Sequence, residues 1–121
     1  MKNKIYATIV ISFFIFLTIL ICRSYYMNYQ IEKYGQIIIG KYVSHKSYPK
    51  SQENYFIYYI NAKRVKNYAI DNISPDFKHN IGKFYKIKYL DKYPDAIHPI
   101  YKEEVTDTIE ILKAGFSKSD L

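Results

Sequence analysis

A single cysteine, Cys22, occurs in the chain, so no intramolecular disulfide can form and cysteine usage says nothing about redox compartment. Tryptophan is absent, and glycine and proline number only four each. With so few glycines there is no loop that cradles phosphate ahead of a Lys-Ser/Thr pair. Neither Ser44 nor Ser74 carries the flanking glycines of a nucleophile elbow, although His45 and Asp76 stand near them. The three histidines, His45, His79 and His98, share no i, i+4 spacing and no cysteine partner, so a zinc site would need three separate loops to converge. Asp91 and Asp95 flank a turn, a place where aspartates bond their own backbone without any catalytic role. No residue set supports an enzyme, a cofactor or a metal, and a non-enzymatic protein is the expectation.

What is present is a long apolar run. Ile5 to Cys22 holds eighteen residues without a charge, with Lys2 and Lys4 before it and Arg23 after it. As an α-helix it would be about 27 Å long, close to the ~30 Å of a bilayer's hydrocarbon core. Its hydroxyls, on Tyr6, Thr8, Ser12 and Thr18, are tolerable in lipid because Ser and Thr can bond a carbonyl one turn back. Tyr25 and Tyr26 follow at the depth where amphipathic rings settle among headgroups. A cleaved signal would have an apolar region of about 7–15 residues ending at small side chains. Here branched bulk, Ile19-Leu20-Ile21, leads up to Cys22, and Ile21 is too large for a lipoprotein signal. The reading is a retained single-pass anchor.

About a hundred residues remain, enough for one domain with a modest core. Net charge is +7; without Lys2 and Lys4, 16 basic side chains face 11 acidic ones, a net +5. Such a surplus suits anionic lipid, nucleic acid or acidic polysaccharide, and equally an ordinary lysine-rich surface.

The anchor helix should continue as a juxtamembrane stalk to Gly35, expected as a left-handed C-cap, with no strong apolar stripe after Cys22. Gln36–Ser44 reads as a strand whose Gly40 suggests a bulge or bend, and His45–Asn54 as a loop. Tyr55–Ile60, YFIYYI, is the strongest strand pattern and, apolar on both faces, is expected at the centre of the sheet. Asn61-Ala62-Lys63 turns the chain into a second hairpin strand, Arg64–Ile70. Ser74-Pro75-Asp76 begins a short helix ending at Gly82, with Phe77 and Ile81 toward the core. Lys83–Leu90 alternates, Tyr85, Ile87 and Tyr89 on one face and Lys86 and Lys88 on the other. Ala96–Tyr101 can be only an edge strand because of Pro99. Val105, Ile109, Leu112 and Phe116 recur at helical spacing, with Asp107 and Glu110 as a capping box and Gly115 as C-cap.

The expected architecture is therefore an N-terminal transmembrane α-helix plus a small β-rich (α+β) domain. That domain should be an antiparallel curled sheet or partly open barrel of four or five strands in meander order, with short helical turns. The boundaries are residues 1–34 for anchor and stalk, 35–116 for the β-rich domain and 117–121 for a frayed tail. Lys83, Lys86, Lys88 and Lys92, with Lys63, Arg64 and Lys66 on the hairpin, interleave with tyrosines as on platforms that bind single strands or anionic glycans. The alternative is plain surface, where strand lysines discourage edge pairing.

The segments YFIYYINAKRVKNY, GKFYKIKYLDKYPDAIHPIY and VTDTIEILKAGF resemble small membrane-anchored β-domain proteins of Bacteroidota. In those an aromatic strand precedes G-K-x-[FY]-x-[VI]-[KR]-[YF]-x-x-x-x-P and a closing Gly-aromatic pair, here Gly115-Phe116 where Gly-Trp is common. The resemblance covers Gln36 to Phe116, implies the fold and carries no assigned activity. Positive groups at Lys2 and Lys4 favour a cytoplasmic N-terminus, and long following domains cross regardless of charge, so the domain is expected outside the cytoplasm. There its partners would be an envelope protein or an anionic polymer in preference to nucleic acid.

Overall fold

The computed structural model describes residues 2–71 and 73–121. Helix α1 runs unbroken from Lys2 to Tyr34, 33 residues, and is long and apolar enough to cross a membrane, with none of its apolar window buried against protein. The hydroxyls of Thr8 and Thr18 donate to the carbonyls of Lys4 and Phe14, each at 2.8 Å, which satisfies both groups inside the helix.

Five strands follow, β1 (Gln36–Ser47), β2 (Gln52–Ile60), β3 (Lys63–Ile70), β4 (Phe84–Tyr89) and β5 (His98–Val105). They form one antiparallel sheet in the order β3-β2-β1-β4-β5 that does not close. The aromatic β2 is a central strand, paired with β1 on one side and β3 on the other, and β1 is the middle strand of the five. Only β1–β2–β3 is a meander. Residues after β3 cross to the free side of β1, where the Gly82 N–H donates to the Tyr42 carbonyl at 2.7 Å and the Tyr42 N–H to the Lys83 carbonyl at 2.9 Å. Pro99 sits on the edge strand β5, as its missing N–H requires.

Both faces of the sheet are covered. On the inner face Tyr42, Phe56, Tyr58, Tyr85, Ile87 and Tyr89 are buried together, with Phe77 packed into them. Phe77 lies 5.1–5.3 Å from the rings of Tyr42, Tyr85 and Tyr101. It comes from a 3-10 turn, Pro75–Asn80, and Ile81, expected beside it, is exposed. Residues four apart share a face in an α-helix but not in a three-residue turn. The outer face is covered by helix α2 (Thr108–Lys113) and the residues after it, which bury Ile111 and Phe116 against Phe84, Ile57 and Tyr59. Val105, expected on that helix, ends β5, and Ile109 faces solvent at 62 % exposure. The helix instead starts at its cap, where the Asp107 carboxylate accepts from the Ile109 N–H at 2.9 Å, and that phase turns Ile111 inward.

Two glycines have roles other than those expected. A Cβ on Gly40 would collide with the Ile87 side chain, so Gly40 makes room for the core while the bulge falls at Val43. Gly35 is not left-handed; a Cβ there would strike the Ile31 carbonyl. The terminal residues, expected to fray, form a 3-10 turn, Lys118–Asp120, with a Ser117/Asp120 capping box, and the Lys41 ammonium donates to the Asp120 carbonyl at 2.8 Å.

Candidate interaction surfaces

The basic residues singled out in the sequence do not converge. Lys83 precedes β4 and pairs with Glu104 at 3.4 Å on the surface. Lys86 and Lys88 share the outer face of β4, Lys86 between Ile39 and Ile100 and Lys88 between Ile37 and His98. Lys92 leaves the sheet altogether and lies over the rings of Tyr26 and Tyr93, 5.6 Å from each centroid. Lys63, Arg64 and Lys66 belong to β3, with β2 and β1 between them and β4. Helix α2 and Phe116 stand on the outer face between the two groups. What remains of an aromatic-cation cluster is small. Lys66 and Lys46 lie over the Tyr55 ring at 5.6 and 5.3 Å, with Tyr68 beside it at 5.3 Å. The Tyr55 hydroxyl donates to Glu53 at 2.8 Å, and that bond is the main reason its pKa is pushed up to about 12.

The stronger constellation joins α1 to the sheet. Glu32, in the last turn of α1, accepts from the Lys88 ammonium at 2.7 Å and faces His98 Nδ1 at 2.9 Å. His98 Nε2 faces the Asn28 side-chain oxygen at 3.1 Å, so both ring nitrogens meet acceptors on the helix. Lys88 also reaches the Glu32 main-chain carbonyl at 3.3 Å, one of the carbonyls a helix end leaves unpaired. The hydrogen bond from Lys88, then that from His98, holds the Glu32 carboxyl below its ordinary range. Ile31 is fully buried at the same junction. The stalk is therefore docked and not free. Its signal was legible, because Glu32 is the only acid in the first 52 residues and Ile31 the only branched aliphatic side chain between Cys22 and Gly35.

No family model, curated protein or solved structure matches this chain. Its surfaces must speak for themselves. Two grooves lie along the junction. One, of about 900 Å³, separates the end of β3 from the start of β5 beside Met27, Asn28 and Glu32. Side chains and not a strand ladder bridge the opening of the barrel there: Asn67 donates to the Asp95 carbonyl at 3.0 Å and the Tyr101 hydroxyl to Asp71 at 2.7 Å. The other, of about 640 Å³, runs along Thr18 to Met27 of α1 with Tyr93 as its far wall.

A polar set inside the barrel, Tyr42, His45 and Asn54, has the residue types of an acid–base site but not its access. The Asn54 side-chain oxygen accepts from the Tyr42 hydroxyl at 2.8 Å and faces His45 Nδ1 at 2.9 Å. Asn54 is fully buried, and its amide nitrogen has no hydrogen-bond partner among the described residues. Burial raises the Tyr42 pKa to about 12, and burial followed by the Asp71 hydrogen bond raises that of nearby Tyr101. The buried Tyr42 phenol pins the bulged β1 to β2 through Asn54, and Tyr101 ties β5 to Asp71.

Proposed function

We propose that this chain is a single-pass membrane protein of a bacterial envelope that holds a non-enzymatic β-domain close to the membrane for contact with a partner protein or an anionic matrix polymer. The N-terminus is cytoplasmic and the domain extracytoplasmic in this reading, and the Bacteroidota resemblance belongs with it. The observation that carries it is the continuity of α1, which passes without a break from an apolar run to a docked last turn. A flexible tether would let the domain roam; burial of Ile31 and the bonds to Glu32 hold it at one height and orientation. The polymer arm of the reading is supported by the half-buried Tyr55 ring, which has both Lys46 and Lys66 over it.

Carbonate extraction followed by intact-mass measurement tests the anchor, and alkaline phosphatase or green fluorescent protein fused after Leu121 tests the side. A carbonate-resistant chain of full mass, with active phosphatase and a dark fluorophore, supports the reading. A mature N-terminus near Arg23 overturns the anchor. Fluorescence without phosphatase activity places the domain in the cytoplasm and turns the basic surface toward nucleic acid.

A further inference from the structure

The loop after β4, Asp91–Asp95, meets α1 through Lys92 and Tyr93, while its last residue, Asp95, is tied to Asn67 of β3. We propose that Lys92 and Tyr93, with Arg23 and Tyr26 of α1, form a site for the headgroup of an anionic phospholipid, making this loop a second contact with the bilayer. The inference rests on α1 being the membrane anchor. Its first ground is position. The groove walled by Tyr93 spans Thr18 to Met27, and the uncharged run ends at Cys22, so the groove straddles the level where hydrocarbon gives way to headgroups. An apolar groove at that level is filled by lipid, because lipid is what surrounds it.

The second ground is chemistry. Tyr26 and Tyr93 both present rings with a polar tip, the side chain favoured at headgroup depth, and the Lys92 ammonium lies 5.6 Å from the centroid of each. Among the described residues neither Arg23, which lines the groove, nor Lys92, over the Tyr26 and Tyr93 rings that also line it, has an ion-pair partner, which leaves both cations for a phosphate. Asp95 lines the other groove.

The absence of tryptophan makes the test direct, since any introduced tryptophan is a unique fluorophore. The full chain carrying Tyr93→Trp is reconstituted in brominated phosphatidylcholine with increasing phosphatidylglycerol. Leu20→Trp reports insertion of α1, and Tyr48→Trp, in the loop between β1 and β2, serves as the control away from the membrane. Expected is strong quenching at position 20, weaker quenching at 93 that grows with the anionic fraction, and none at 48. Adding Lys92→Gln to the Tyr93→Trp chain should abolish the growth with phosphatidylglycerol. Quenching at 20 without quenching at 93 overturns the loop contact. Quenching at 93 that ignores phosphatidylglycerol overturns the headgroup site. Absence of quenching at 20 removes the anchor and this inference with it.

Discussion

Glu32 on α1 and Lys88 on β4, 56 positions apart in the chain, meet at 2.7 Å, and that pair sets the domain against its helix. Each is partly solvent-exposed, so the pair itself stabilises by about 0–1 kcal/mol. Its consequence is orientation more than stability. The Glu32 pKa is lowered in the folded protein, so its contribution is present above the ordinary carboxylate value of 4.5 and is lost as pH falls through the lowered one. Amide exchange at residues 28–34 and 90–98 should quicken below that value, and Glu32→Gln should give the same loosening at neutral pH. Unchanged exchange in Glu32→Gln would show that Ile31 alone holds the junction.

The buried stalk residue predicts a dependence on where a soluble fragment begins. A fragment starting at Gly35 should fold with strand-type circular dichroism. One starting at Met27 should be more stable by about 1.5–3 kcal/mol, the value of burying one aliphatic side chain. Equal denaturation midpoints for the two would mean that α1 contributes nothing to the domain.

Ile87 fills the space that Gly40 leaves, with no exposure to solvent. Ile87→Ala should cost about 2–5 kcal/mol, because Gly40 has no side chain with which to fill the cavity. Ile109→Ala, on the exposed side of α2, should stay within about 0.5 kcal/mol. Urea denaturation of both variants compares the two faces, and the reverse order would mean that the phase of α2 is wrong.

At the β2–β3 turn Asn61 and Ala62 have φ of 51° and 64°, the conformation of a tight hairpin turn that favours glycine. Ala62→Gly relieves about 1–2 kcal/mol of left-handed strain and gives back about 0.4–1 kcal/mol in unfolded-chain entropy. A net gain of about 0.5–1 kcal/mol in chemical denaturation is expected, and a loss would indicate that the turn relaxes in solution.

Several inner-face phenols have raised pKa values through burial, Tyr42 to about 12. Because the neutral form is the one the fold favours, this stabilisation is present below the ordinary phenol value of 10.0 and is lost as pH rises from there toward about 12. Phenolate absorbance should therefore rise in two stages, exposed tyrosines first and the buried set together with loss of the strand signal. A single smooth titration with the fold intact would place those hydroxyls in water.

The long apolar helix, the approximate strand positions and the inner faces of β2 and β4 were legible in the sequence because each is a local property, although β1 and β2 run into the expected loop His45–Asn54 and β5 lies at His98–Val105. An uncharged run of helix length, alternation at period two and proline on an edge need no knowledge of distant residues. The tertiary structure decided that β1 is central as well as β2, since β1 gains its second neighbour only when the chain crosses back after β3. It also decided the phase of α2, because the Asp107 cap and the demand of β5 for Val105 override the spacing of apolar residues. The scattering of the lysines was likewise invisible, since strand order, and not position along the chain, sets which basic side chains share a surface. Ile31, Glu32 and Lys92 belong to segments that read as stalk and turn. Their partners are distant in the sequence, and only the fold could bring Lys88 and His98 to Glu32 and Tyr26 to Lys92.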